Sequence, residues 1–201
     1  MKLARHAQQL RCAARRKPGP ALPALWLISD RQRSGDLRAV LGQLPKGAGF
    51  IFRHYDLQGR EKYARELRRL CRQRRILFLV AGDWRLASKL RADGVHFPEA
   101  LAGKARLARA SLPHAILTAA AHDAAALIRA CRAGVDAALL SPVFPTQSHP
   151  GAAGLGAVRF ARLVRHSPLP VIALGGIHAE NARRLRESGA IGVAGISGLS
   201  Q

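Results

Sequence analysis

The sequence predicts an α/β protein, and within that class a (β/α)8 barrel. Three observations carry the prediction. Short apolar runs alternate with helix-like segments, repeating roughly every twenty-odd residues. Runs such as 171–174 are too continuous for half-exposed strands and too short for helices, as expected of strands buried on both faces. The runs number eight, and no GxGxxG follows the first, which favours a closed barrel over an open doubly wound sheet.

Residues 1–22 read as a basic N-terminal helix and a Pro/Gly linker, and 23–201 as the barrel. Leu3, Ala4, Ala7, Leu10 and Ala14 recur at helical spacing over 3–15, before Lys17-Pro18-Gly19-Pro20 breaks the helix. Strands are predicted at 25–29, 49–55, 76–81, 94–97, 115–119, 137–141, 171–174 and 191–196. Helices are predicted at 36–44, 58–74, 84–90, 101–110, 123–133, 157–165 and 179–187, several ending at a glycine such as Gly189. This reading places no helix after the last strand, which would leave Val193 and Ile28 bare on the outside of the barrel. The N-terminal stripe is the expected cover, and a homodimer interface is the alternative.

Composition narrows the function. The net charge of +21 attracts polyanions, but arginine is spread along the chain and aromatic residues make up only 5%. Without a helix-turn-helix or zinc signature, specific nucleic-acid binding is not expected, and the excess reads as a solvated ring of Arg-rich helices. No apolar run approaches the ~20 residues needed to span a bilayer, and the start lacks the apolar core of a secretory signal. Cys12, Cys71 and Cys131 form no CxxC pair and read as reduced thiols of a cytoplasmic protein.

The segment 169–197 carries the strongest chemical signal. Gly175-Gly176 follow one strand, and Gly195 and Ser197 end the next. In (β/α)8 barrels the loops after strands seven and eight often hold a phosphate, and glycines let backbone N–H groups approach it. Glycines also occur at strand–helix turns for geometry alone.

SPVFPTQSHPGAAGLG, followed by LPVIALGGIHAENARRLRESGAIGVAGISGL, closely resembles the C-terminal half of the thiamine phosphate synthase family, which includes the TenI-type thiazole tautomerases. RADGVHFPEA and LWLISD resemble its fourth and first strands, so the resemblance runs from about residue 25 to 199. It implies a barrel that binds a thiazole phosphate and, in the synthase, an aminopyrimidine pyrophosphate with Mg2+. The phosphate-binding residues it implies are Thr146, Ser148, His149, Gly175, Gly176, Gly195, Ile196 and Ser197.

Elsewhere the sequence departs from the family. Its Gln-x-Arg-Glu-Lys motif is Ile51-Phe52-Arg53-His54-Tyr55 here, which keeps Arg53 and replaces the lysine by Tyr55. Its Asn-Asp pair aligns with Ala81-Gly82, leaving Asp83 one position late as the candidate metal ligand. Leu101 stands near the second Mg2+ aspartate position, with Glu99 close by. Gly-x-Ser-x-His becomes Thr118-Ala119-Ala120-Ala121-His122, and Thr-x-Thr-Lys becomes Thr146-Gln147-Ser148-His149.

A pyrophosphate leaving group needs cations, and Mg2+ needs oxygen ligands, so synthase chemistry and Mg2+ dependence are expected to be weak. The expected function is a divergent thiamine-biosynthesis protein binding a thiazole phosphate or thiamine phosphate, with Arg53 and His122 as candidate catalytic residues. Two alternatives are a tautomerase using His122 for proton transfer and a barrel that only binds its ligand. His122 also has a bland reading, as a helix N-terminal residue beside Asp123. Polyanion binding is the least favoured function. His96 is expected to be structural, and Trp26 and Trp84 to be core or pocket wall.

Overall fold

The structure, a computed structural model, describes residues 2–14, 20–31, 33, 35–146 and 153–196. The strands are β1 (Leu25–Ile28), β2 (Gly49–Phe52), β3 (Leu77–Ala81), β4 (Gly94–Phe97), β5 (Ile116–Ala121), β6 (Ala137–Leu140), β7 (Val171–Leu174) and β8 (Gly192–Gly195). They form a closed barrel in sequence order, every neighbour parallel, with β8 pairing back onto β1. The helices are α1 (Lys2–Ala13), α2 (Leu37–Gln43), α3 (Arg60–Arg74), α4 (Trp84–Leu90), α5 (Ala105–Ser111), α6 (Ala124–Arg132), α7 (Gly156–His166) and α8 (Ala179–Ala182).

Three predicted elements differ in form. The crossover after β4 starts earlier than predicted, as a 3-10 turn over Glu99–Lys104 that leads into α5. The predicted helix 179–187 is one α-turn followed by a 3-10 turn at Arg183–Leu185. Strand β2 stops at Phe52, so Arg53, His54 and Tyr55 lie just beyond it.

Each strand alternates between two apolar layers. Trp26, Ile28, Ile51, Leu79, Leu139 and Ile172 fill the lumen, while the other faces pack outward on the helices. Trp26 is wholly buried and donates its indole N–H to the Pro23 carbonyl at 2.8 Å. Its register partner is Gly49, where an added Cβ would lie 2.2 Å from the indole ring. Gly49→Ala should therefore destabilise the barrel by about 1–3 kcal/mol, measured by chemical denaturation; an unchanged midpoint would contradict this packing.

The expected exposure of Ile28 is corrected. With Trp26 inward, strand alternation also turns Ile28 inward, and Leu25 and Leu27 are the outward residues of β1. Val193 does face outward, and α1 lies over that seam. Leu3, Ala7 and Leu10 are buried against α8, β8 and β1. Arg186 from the turn after α8 donates to Gln9 on α1 at 3.0 Å. The predicted chain break at Lys17-Pro18-Gly19 lies outside the described residues.

Aspartates act as repeated fasteners of the fold. Asp36, Asp83 and Asp123 cap α2, α4 and α6 by accepting backbone N–H bonds. Asp93 accepts from Phe78 N–H at 2.7 Å and pairs with Arg68, and Asp136 repeats this with Leu117 N–H and Arg109. The three cysteines are free, and burial pushes the Cys71 thiol up to about 12, which keeps it protonated and inert. Among the described residues, no helix is long and apolar enough to cross a membrane.

Candidate active site at the barrel mouth

The β7–β8 register pairs Leu174 with Ala194, so Gly175 emerges beside Gly195 at the C-terminal rim. Gly175 and Gly176 adopt φ of 98° and 64°, a region in which side chains are strained. Space forbids side chains as well. A Cβ on Gly175 would lie 2.9 Å from Pro142 Cα, and one on Gly176 would lie 2.4 Å from the Pro145 carbonyl oxygen. The backbone of the 142–145 loop is thus clamped onto the two glycines. Val143 and Phe144 N–H groups donate to the Leu174 and Gly175 carbonyls at 2.9 and 3.1 Å. Asn181 Nδ2 donates to the Gly176 carbonyl at 2.7 Å, while its Oδ1 accepts from His178 N–H. Both glycine carbonyls are engaged, and neither glycine N–H has an acceptor among the described residues.

Thr146 ends the described part of this loop, and Ile196 packs on the lumen core after β8. The fold therefore brings Thr146, Gly175, Gly176, Gly195 and Ile196 to one sector. Ser148, His149 and Ser197 lie outside the described residues.

The β1–β3 sector is different, because its charged groups are engaged with one another. Buried Ser29 accepts the Arg53 N–H at 2.8 Å and fixes the backbone beyond β2. The Arg53 guanidinium reaches Asp30 at 2.6 Å, and Asp30 also binds Arg33 at 2.9 Å. Tyr55 lies over Gly82, where an added Cβ would meet its ring at 3.1 Å. Burial raises the Tyr55 hydroxyl pKa, partly opposed by Arg53 and Arg60, so a neutral phenol stands at the lysine position. Asp83 accepts Leu86 N–H at 2.9 Å and pairs with Arg60 at 3.1 Å. Glu99 pairs with Arg129 at 2.5 Å, and Leu101 packs on the outer core. Among the described residues, no three His, Cys, Asp or Glu side chains gather as a metal site.

The structure also places His54 beside Arg53, in a cleft of about 300 Å³ that includes Asp30, Arg31 and Tyr55. Its ring sits 5.2 Å from Phe52 and 6.2 Å from Tyr63, and neither nitrogen has a hydrogen-bond partner among the described residues. Burial, reinforced by Arg31, Arg53 and Arg60 against Asp30, lowers its pKa and favours the neutral ring.

His122 follows β5 directly, on the far side of the mouth. Its Nδ1 lies 2.9 Å from the Ser141 carbonyl, which can only accept, so Nδ1 carries the proton. Nε2, the other ring nitrogen, lies 3.9 Å from the Glu99 carboxylate. The side chain is 47% exposed, so a ligand in the mouth can reach it. Capping of α6 falls to Asp123, which accepts Ala126 N–H at 2.7 Å.

His96 lies deeper, its Nδ1 3.0 Å from Thr118 Oγ1. Burial lowers its pKa to about 3, helped by the Arg53 charge. The unfolded chain binds this proton first, near pH 6.5, so folding stability is complete above about 6.5 and falls towards pH 3. The drop reaches about 5 kcal/mol across that window. Urea titrations should show that slope reduced in His96→Gln; an identical pH profile would contradict the assignment.

Sequence reasoning missed Ser141, Asp30 and Asn181, the partners of His122, Arg53 and Gly176. Ser141 directly follows an apolar strand and Asp30 stands two residues past one, where rim residues belong, and Asn181 stands at a helix N3 position.

These features define a (β/α)8 barrel with its polar and glycine residues gathered at the C-terminal strand ends. The family model for thiamine monophosphate synthase matches residues 25–199. A thiamine-phosphate synthase of Bacillus velezensis is 32% identical over 189 residues, covering 90% of this chain and 84% of the relative. One from Pyrococcus furiosus is 31% identical over 87% of this chain and 86% of its own length. The solved thiamine phosphate pyrophosphorylase from Pyrococcus furiosus superposes with a TM-score of 0.72 at 26% identity, over 86% of this chain and 85% of that one. The chain belongs to the thiamine monophosphate synthase family.

Proposed function

We propose that this protein acts in thiamine biosynthesis by binding a thiazole phosphate, or thiamine phosphate, at the β7–β8 end of the barrel mouth. The observation that carries this reading is the Gly175–Gly176 turn, whose carbonyls are engaged and whose N–H groups have no described acceptor. Such paired donors suit phosphate oxygens, and any side chain there would collide with the 142–145 loop that holds the turn in place. The free thiols, with Cys71 buried, support a reducing, cytoplasmic setting.

Condensation with a pyrimidine pyrophosphate is poorly supported by the other sector. Arg53 is matched by Asp30, Tyr55 replaces a lysine, and both oxygens of Asp83 are engaged within the fold. This donor set does not fit Mg2+. Thiamine phosphate formation from thiazole phosphate and aminopyrimidine pyrophosphate should be weak and indifferent to EDTA. Robust turnover abolished by EDTA and by Asp83→Ala would overturn that part of the reading.

The geometry of His122 favours a second reading, proton transfer on a bound thiazole. Nδ1 is tied to the Ser141 carbonyl, which leaves Nε2 to take and return a proton on the ligand. His122→Gln should lower tautomerase turnover by about 10²–10⁴-fold, with thiazole phosphate affinity retained. Undiminished turnover would exclude His122 as the proton carrier, and no turnover in the wild type would leave ligand binding as the whole function.

A further inference from the structure

A groove that adjoins the mouth at His122 points to a second ligand. The 3-10 turn at Glu99–Lys104 and helix α6 diverge around an open hollow of about 700 Å³. Its floor is small and apolar, with buried Ala102 and Ala133 beside Gly103. Its rim carries Arg106, Arg129 and Arg132. Arg106 is tethered through one guanidinium nitrogen to the Arg132 carbonyl at 2.9 Å, which leaves its other donors for a ligand. Glu99 is the only carboxylate lining the described groove, and it is shared between Arg129 at 2.5 Å and His122 at 3.9 Å. Three guanidinium groups thus face one carboxylate.

We propose that this groove binds an organic polyphosphate of nucleoside-diphosphate size. The chemistry has three parts. Planar guanidinium forks match phosphate oxygens two at a time. The hollow is far larger than one phosphate and lies within the ~300–1,000 Å³ range of small-molecule sites. The floor of methyl groups and glycine offers a flat apolar body a surface to lie on. A second copy of this chain is a poor occupant, since each copy carries +21. The groove runs from His122 along the β4–β6 crossovers, and the proposal does not depend on what the β7–β8 glycines bind.

The test is calorimetric titration of the full chain with ADP at about 0.15 M salt, where diffuse attraction is screened. Arg106→Glu combined with Arg132→Glu should weaken binding about tenfold or more. Arg132→Glu alone should weaken it in the same direction; the side chain is exposed and the Arg132 carbonyl that Arg106 uses is retained, so folding should be preserved. Arg69→Glu combined with Arg72→Glu, on the exposed face of α3, makes the same charge change elsewhere and should leave affinity within about twofold. Glu99→Gln should tighten binding by releasing Arg129. No binding to the wild type, equal losses in the groove and α3 variants, or no loss in the groove variants would each overturn the proposal.

Discussion

Leu10→Ala is expected to cost about 2–5 kcal/mol of folding stability, and Leu3→Ala with Leu10→Ala to remove most of that stability. Both leucines are fully buried although they lie in the first helical turns of the chain. They sit with Ala7 on the outer faces of β8 and β1, where Val193, Leu25 and Leu27 form the other side of the contact. Removing the two side chains opens cavities across the seam that closes the barrel. Twice the single loss, about 4–10 kcal/mol, takes most of the ~5–15 kcal/mol such a domain has in total. Urea denaturation of the single and double variants measures this directly. A cost below about 1 kcal/mol for Leu10→Ala would show that α1 only rests on the barrel.

Gly176→Val is expected to abolish thiazole phosphate binding. A valine there meets a φ of 64° and the Pro145 carbonyl at 2.4 Å, so the 142–145 loop must move away. That movement breaks the clamp made by Phe144 N–H and Asn181, and the branched side chain then fills the space before the glycine N–H groups. Asn181→Ala is the milder companion, releasing the Gly176 carbonyl without adding volume, and should weaken binding by about tenfold. Calorimetry showing undiminished affinity in Gly176→Val would place the phosphate elsewhere.

Much of the fold was legible because buried strands and Arg-rich helices have distinct periods. All eight strands lie where the apolar runs predicted them. The inward or outward sense of β1 was not legible, since LWLI is apolar throughout and only the Trp26–Gly49 fit decides it. The glycine turn was legible from composition, but its tight contact with the 142–145 loop needed the fold.

The roles of the carboxylates were less accessible. Asp83 has the residue type of a metal ligand, yet its position before Trp84 makes it a helix cap, a role Asp36 and Asp123 share. The positive charge also looks different in three dimensions. Arg68, Arg74, Arg106 and Arg109 donate to backbone carbonyls of neighbouring segments, so part of the arginine excess fastens the outer ring of helices.

The central claim is that a thiazole phosphate is held at the β7–β8 rim. A crystal structure of the protein with thiazole phosphate tests it most directly. The account predicts the phosphate within hydrogen-bond reach of the Gly175 and Gly176 N–H groups, with the thiazole ring directed across the mouth towards His122. A phosphate bound instead beside Arg53, with the glycine turn empty, would contradict it.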